Sequence, residues 1–126
     1  MTIIGWLAFL FAAAVGAPAR YLLDGWVQDR TGGRFPWGTF TVNVTGCFAL
    51  GILTGLGFYH GLGSASRTVL GTGGLGAYTT FSTFTFETVR LAEEGAIDDA
   101  LRSAGAGWFF GLVAAAAGLA LAAIVP

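Results

Sequence analysis

Asp, Glu, Lys and Arg are absent from four long stretches of the chain, residues 1–19, 36–66, 68–86 and 103–126. Each stretch is built mainly of apolar residues and glycine, and each has room for the roughly 20 residues that carry a helix across the hydrocarbon of a bilayer. The pattern predicts an all-α membrane protein of four transmembrane helices near residues 3–23, 37–60, 67–92 and 101–125, within a single domain over residues 1–126. Between the first two helices, Arg30-Thr-Gly-Gly-Arg-Phe-Pro36 reads as a compact turn. Ala12, Ala13, Ala14 and Ala17 imitate a signal-peptide cleavage region, but no basic residue precedes them and three further apolar runs follow. A retained first span is expected.

The third helix is the least regular. Gly73, Gly74 and Gly76 followed by Tyr78-Thr79-Thr80 predict an interruption in the middle of that span. Backbone freed from helical hydrogen bonds survives at membrane depth only when buried in protein or lining a water-filled cavity. Freed carbonyls suit a cation, whereas helix N-termini and hydroxyls suit an anion. The same glycines spell G-x-G-x-x-G from Gly71 to Gly76, with Glu93 about 20 residues on. The dinucleotide fingerprint requires a preceding strand in a βαβ unit, however, and four apolar helices supply none.

Composition sharpens this picture: the chain is 55% hydrophobic and only 10% charged, with mean hydropathy +0.73. A small soluble core could not bury so much apolar side chain, so the remainder must face lipid or a partner. The 21 glycines include pairs four apart, Gly51/Gly55 and Gly107/Gly111, which form flat faces for close helix packing. The net charge of −1, with no lysine, excludes a nucleic-acid surface. One cysteine, Cys47, and one histidine, His60, leave neither a disulfide framework nor a metal cluster. Cys47 reads as a small buried hydrophobe and His60 as an interfacial residue. No nucleophile, base and orienting residue fall together outside the apolar segments, so no catalysis is expected.

Three further groups of residues bear on function. Phe81 and Phe84 lie three apart on one helix face, with Ser82 and Thr85 on the adjacent stripe. They suit packing with back-bonded hydroxyls, or an anion path in which positive ring edges and hydroxyls meet the ion. In the second helix Thr39 and Asn43 share a face; Asn43 carries two donors and must find partners away from lipid, as interhelical glue or as part of a site. Arg20 lies near the end of the first helix. Its cost at membrane depth argues against a decorative role, and pairing with Glu87 is the plain reading of the residues.

Gly16-Ala-Pro-Ala-Arg20-Tyr21, Gly38-Thr39 with Val42-Asn43-Val44-Thr45-Gly46, and Gly73-Gly-Leu-Gly76-Ala-Tyr-Thr79-Thr80-Phe81-Ser82-Thr83-Phe84 resemble three signatures of the small fluoride channels, the Fluc or CrcB family. The resemblance implies a passive fluoride-selective channel in the cell membrane, built as an antiparallel dimer with two pores and a structural sodium ion at the dimer centre. The sodium ligands would be the backbone carbonyls of Gly76 and Thr79 from both subunits, oxygen donors of the kind hard cations take. Phe81 and Phe84 would line the pores, with Asn43 as donor, Thr39, Ser82 and Thr85 as the hydroxyl track, and Arg20 in a vestibule. Fluoride entering as HF and dissociating inside would leave through such a channel. The fourth helix fits less well, offering Gly105, Gly107 and Gly111 after Ser103 where similar chains carry polar side chains.

Two other classes fit four apolar helices, a small proton-coupled multidrug exporter and a non-transporting membrane scaffold. The exporter calls for a carboxylate deep in the first helix, and the first acid here is Asp24 at its end. Arginines flanking the spans favour residues 24–36 and 93–100 inside, because Arg30, Arg34 and Arg102 lie on that side and Arg67 alone on the other. A dual-topology homodimer is the expected assembly by resemblance, and a heterodimer with an oppositely oriented homologue is the alternative.

Overall fold

A computed structural model describes residues 1–126. The chain is all-helical, in the order α1 (Ile3–Thr31), α2 (Trp37–Tyr59), α3 (Ser64–Arg67), a π-helical stretch (Thr68–Leu75), α4 (Gly76–Tyr78), α5 (Ser82–Glu93) and α6 (Ile97–Ile124). Helices α1, α2 and α6 are each long and apolar enough to cross a membrane. Helix α1 runs well past residue 23, the expected end of the first span. Its charged residues leave the hydrophobic stretch without breaking helical hydrogen bonding, and the helix stops only at Gly32, which takes the left-handed φ of 62°. At its start the Thr2 hydroxyl caps the amide of Gly5 at 3.1 Å.

Burial is inverted relative to a water-soluble domain. The 18 buried residues are mostly glycine, alanine and other small side chains, while Ile3, Ile4, Leu22, Leu101 and Ile124 are exposed. Without water to drive apolar residues inward, helices associate through close backbone approach at small residues. Helices α2 and α6 show it directly. Gly51 sits on the backbone of Ala115, Gly118 on the backbone of Phe48, and Gly55 against the Ala122 methyl. The Gly51/Gly55 face therefore packs on a small-residue stripe of α6, whereas Gly107 and Gly111 serve other neighbours, Phe84 and Cys47. His60 closes the end of this pair, its Nε2 lying 2.8 Å from the Ala122 carbonyl.

Helix α1 packs across the glycine-rich third segment. Gly16, buried, faces the Gly74 carbonyl, and Gly73 faces the ring and carbonyl of Phe9, where an added Cβ would come within 3.0 Å. Glycine on both sides brings the π-helical backbone onto α1. The wider π turn opens into α4, and helical geometry then lapses at Thr79, whose ψ of 162° is extended, before resuming at Ser82.

Candidate functional site: the helical lapse and its cavity

The lapse at residues 79–81 leaves backbone groups that a continuous helix would have paired. The Thr80 amide, which would have bonded the Gly76 carbonyl, instead donates to Asn43 Oδ1 at 2.8 Å. The Asn43 Nδ2 amide returns a bond of 2.7 Å to the Thr80 carbonyl. Asn43 thus meets Thr80 as a neighbouring strand would, donating and accepting at one residue. Thr80 is 8% exposed, so water cannot replace these bonds easily.

The new helix is started by Thr80 as well. Its hydroxyl accepts from the Thr83 amide at 3.2 Å and donates to Thr83 Oγ1 at 3.0 Å, capping α5. The amides of Phe81 and Ser82 have no carbonyl partner, which leaves the positive end of the α5 dipole open at the lapse. Nothing bonds the Gly76 carbonyl either, while the Thr79 carbonyl has Arg20 Nη1 at 3.5 Å. Close crossings hold α2 against this region: Gly46 faces the Thr79 methyl, and Thr45 Oγ1 lies 2.7 Å from the Tyr78 hydroxyl.

A cavity of about 390 Å³ opens beside the lapse. Thr39 and Asn43 of α2, Gly76, Thr79 and Thr80, the rings of Phe81 and Phe84, and Ser103 and Gly107 of α6 all line it. The two ring centroids are 6.2 Å apart with planes inclined at 40°. Phe84 owes its place to Gly107, since a Cβ there would come 2.7 Å from the ring. Thr39 Oγ1 is buried with no hydrogen-bond partner. It lies beside the Glu87 carboxylate, which can accept from it although no well-formed bond joins the two, and Glu87 Oε2 is likewise buried.

Of the residues singled out by sequence, Thr39, Asn43, Gly76, Thr79, Phe81 and Phe84 come together at this cavity. Ser82 and Thr85 lie outside its lining. Ser82 is exposed 3.4 Å from Thr80 Oγ1, and Thr85 bonds back to the carbonyls of Phe81 and Ser82 at 3.0 Å each. Arg20 reaches the lapse through Thr79 and makes no ion pair with Glu87. The ion pairs are Arg90–Glu94 at 3.6 Å and Arg102–Asp99 at 3.8 Å. Sequence reasoning set Thr80 at the interruption but gave no role to its side chain, nor to those of Thr83 and Ser103. The first two hid in a run of hydroxyl residues in which any one could have been the cap. Ser103, 3.4 Å from Thr88 Oγ1, is brought to the cavity only by α5–α6 packing.

Residues 7–119 match the family described as CrcB-like protein, Camphor Resistance (CrcB). The chain is 48% identical over 116 residues to the fluoride-specific ion channel FluC 1 of Streptomyces avermitilis, covering 92% of this chain and 94% of that protein. It is 46% identical over 110 residues to the fluoride-specific ion channel FluC of Acidobacterium capsulatum, 86% of each. With FluC 1 of Frankia casuarinae the identity is 50% over 101 residues, 74% of this chain and 76% of that one.

Proposed function

The chain belongs to the CrcB-like family, and we propose that it is a fluoride-selective channel through which fluoride leaves the cytoplasm passively across the cell membrane. It is a multi-pass membrane protein and a channel, not an enzyme. The observation that carries the reading is the meeting of two phenylalanine rings, an open helix N-terminus and the Thr39 hydroxyl at one cavity beside the lapse. Fluoride is small and strongly hydrated, so each water it sheds must be replaced by a donor close at hand. Ring edges carry partial positive charge, and the Asn43 amide keeps one N–H beyond the one given to Thr80. Family membership sets aside the exporter and scaffold readings.

In this proposal the third segment, from α3 to α5, is one membrane span broken at residues 79–81, and the channel is an antiparallel dimer with two pores. A homodimer is the simplest assembly, with a homologous second subunit as the variant. Gly76 and Phe81 support it, because both are exposed on the single chain although they bear on the cavity. A sodium ion at the dimer centre fits the Gly76 and Thr79 carbonyls, since the first is unbonded and the second holds only a long contact to Arg20. Backbone oxygens are ligands that a hard cation accepts. Arg20, unpaired, then lends its charge to the approach of anions. Ser82 and Thr85 complete a hydroxyl track only if the partner's packing turns them toward the pore.

The test is efflux from liposomes loaded with potassium fluoride, with a potassium ionophore to collapse the voltage. A fluoride electrode should record rapid release, and chloride-loaded liposomes should stay tight. A well-folded protein that releases no fluoride refutes the channel, and equal release of chloride refutes the selectivity.

A further inference from the structure

The opposite end of the third segment holds a charge with no counter-ion. Arg67 closes α3, its backbone amide bonded to the Gly63 carbonyl at 3.1 Å, and its side chain folds back onto α2. Gly57 provides the seat. A Cβ there would come 2.6 Å from Arg67 Cδ, 2.9 Å from Nη1 and 3.0 Å from Nε. Arg67 Nε is buried and has no hydrogen-bond partner, and Arg67 enters neither ion pair. The chain offers it no acid, because all seven Asp and Glu residues lie at positions 24–29 or 87–99. These cluster at the other end of the helices, so the counter-ion must come from outside the chain.

Arg67 borders a second cavity of about 290 Å³, lined also by Thr54, Ser64, Thr68 and Thr72. Thr54 and Thr68 spend their protons on the carbonyls of Leu50 and Ser64, at 2.8 and 3.0 Å. The Ser64 and Thr72 hydroxyls remain as donors beside the guanidinium. Leu50 and Gly71 line both this cavity and the larger one at the helical lapse, so the two adjoin.

We infer that Arg67, seated on Gly57, forms an anion-binding site that gathers fluoride from the side of the 60–64 loop before it reaches the phenylalanine pair. The inference rests on the channel reading. The missing Cβ at Gly57 lets the guanidinium lie against α2, and its cavity adjoins the larger one through Leu50 and Gly71. Charge at a pore entrance raises the local concentration of its counter-ion, an effect that matters at low fluoride and fades with ionic strength.

Fluoride efflux is compared for wild type, Arg67→Gln and Arg67→Lys over a range of fluoride concentrations and of an impermeant salt. Fluoride binding is followed independently by ¹⁹F line broadening on each purified protein. Arg67→Gln should lower flux at sub-saturating fluoride by about tenfold at low ionic strength. Saturating flux should change little, and the deficit should shrink as salt rises. Arg67→Lys should recover most of the loss, which separates charge from packing, and the broadening should weaken in Arg67→Gln. Wild-type flux and broadening in Arg67→Gln at every concentration overturn the site. A variant that conducts normally but loses stability only in vesicles containing phosphatidylglycerol, and not in pure phosphatidylcholine, overturns it in favour of a lipid headgroup. A carboxylate of a second subunit found on Arg67 also overturns it. Arg67-dependent broadening in a wild type that conducts no fluoride keeps the anion site and removes the channel reading instead.

Discussion

Asn43→Ala removes both bonds that hold the helical lapse, the 2.8 Å bond from the Thr80 amide and the 2.7 Å bond to the Thr80 carbonyl. It leaves two backbone groups of a residue that is 8% exposed without partners. An unsatisfied buried group costs about 1–3 kcal/mol, so two give about 2–6 kcal/mol as an upper range. Interhelical hydrogen bonds in membranes average nearer 0.6 kcal/mol, because alternative partners are found, which places the expected loss at the low end, about 2 kcal/mol. That corresponds to an increase of more than about tenfold in opening of the lapse. Hydrogen exchange of the Thr80 amide reads this opening directly, and fluoride efflux reads its consequence. Asn43→Asp separates the two roles of the side chain. It keeps an acceptor for the Thr80 amide but sets an oxygen against the Thr80 carbonyl, so it should also exchange faster and conduct poorly. If Asn43→Ala leaves Thr80 exchange at the wild-type rate while flux falls, Asn43 acts on the ion alone and the clamp reasoning is wrong.

Replacing Phe81 or Phe84 by Ile keeps apolar bulk and removes the positive ring edge, so flux should fall sharply, whereas Phe86→Ile, outside the cavity lining, should conduct nearly normally; the reverse order in efflux assays would return these rings to plain packing. Gly107→Ala places a methyl 2.7 Å from Phe84 and should reduce flux severalfold, while Gly105→Ala meets nothing within 4 Å and should be silent in the same assay. If the Gly76 and Thr79 carbonyls hold a structural sodium, replacing sodium by a large organic cation should destabilise the dimer on gel filtration without any dependence on fluoride; equal stability in both media argues against the ion. Cysteines at Gly33 and Gly63 in a Cys47→Ser background report orientation, the strain at Gly33, with φ 79°, costing about 1 kcal/mol. Labelling of each site from both sides of the membrane supports an antiparallel homodimer, and labelling from one side requires a second, oppositely oriented subunit.

The charge-free runs determined the all-helical, membrane-spanning architecture by themselves, because in lipid a span must satisfy its own backbone and the helix does so with any apolar sequence of sufficient length. The glycine cluster at residues 71–76 likewise marked where the third segment would be irregular, since residues without Cβ both loosen a helix and admit a neighbour. Sequence could not say which neighbour. Gly16 and Gly73 take α1, Gly46 takes Thr79, and Gly107 takes Phe84, although all are simply glycines in apolar runs. Nor could it tell that Asn43 spends its amide on the Thr80 backbone, that Thr80 rather than Ser82 caps α5, or that Thr85 bonds to its own helix. Arg67 was only a charge beside a span until the fold set it on Gly57, where it pairs with no acid of the chain. Local periodicity selects the helix, whereas the partner of a polar side chain depends on crossings between segments far apart in sequence, and those are decided by tertiary packing alone.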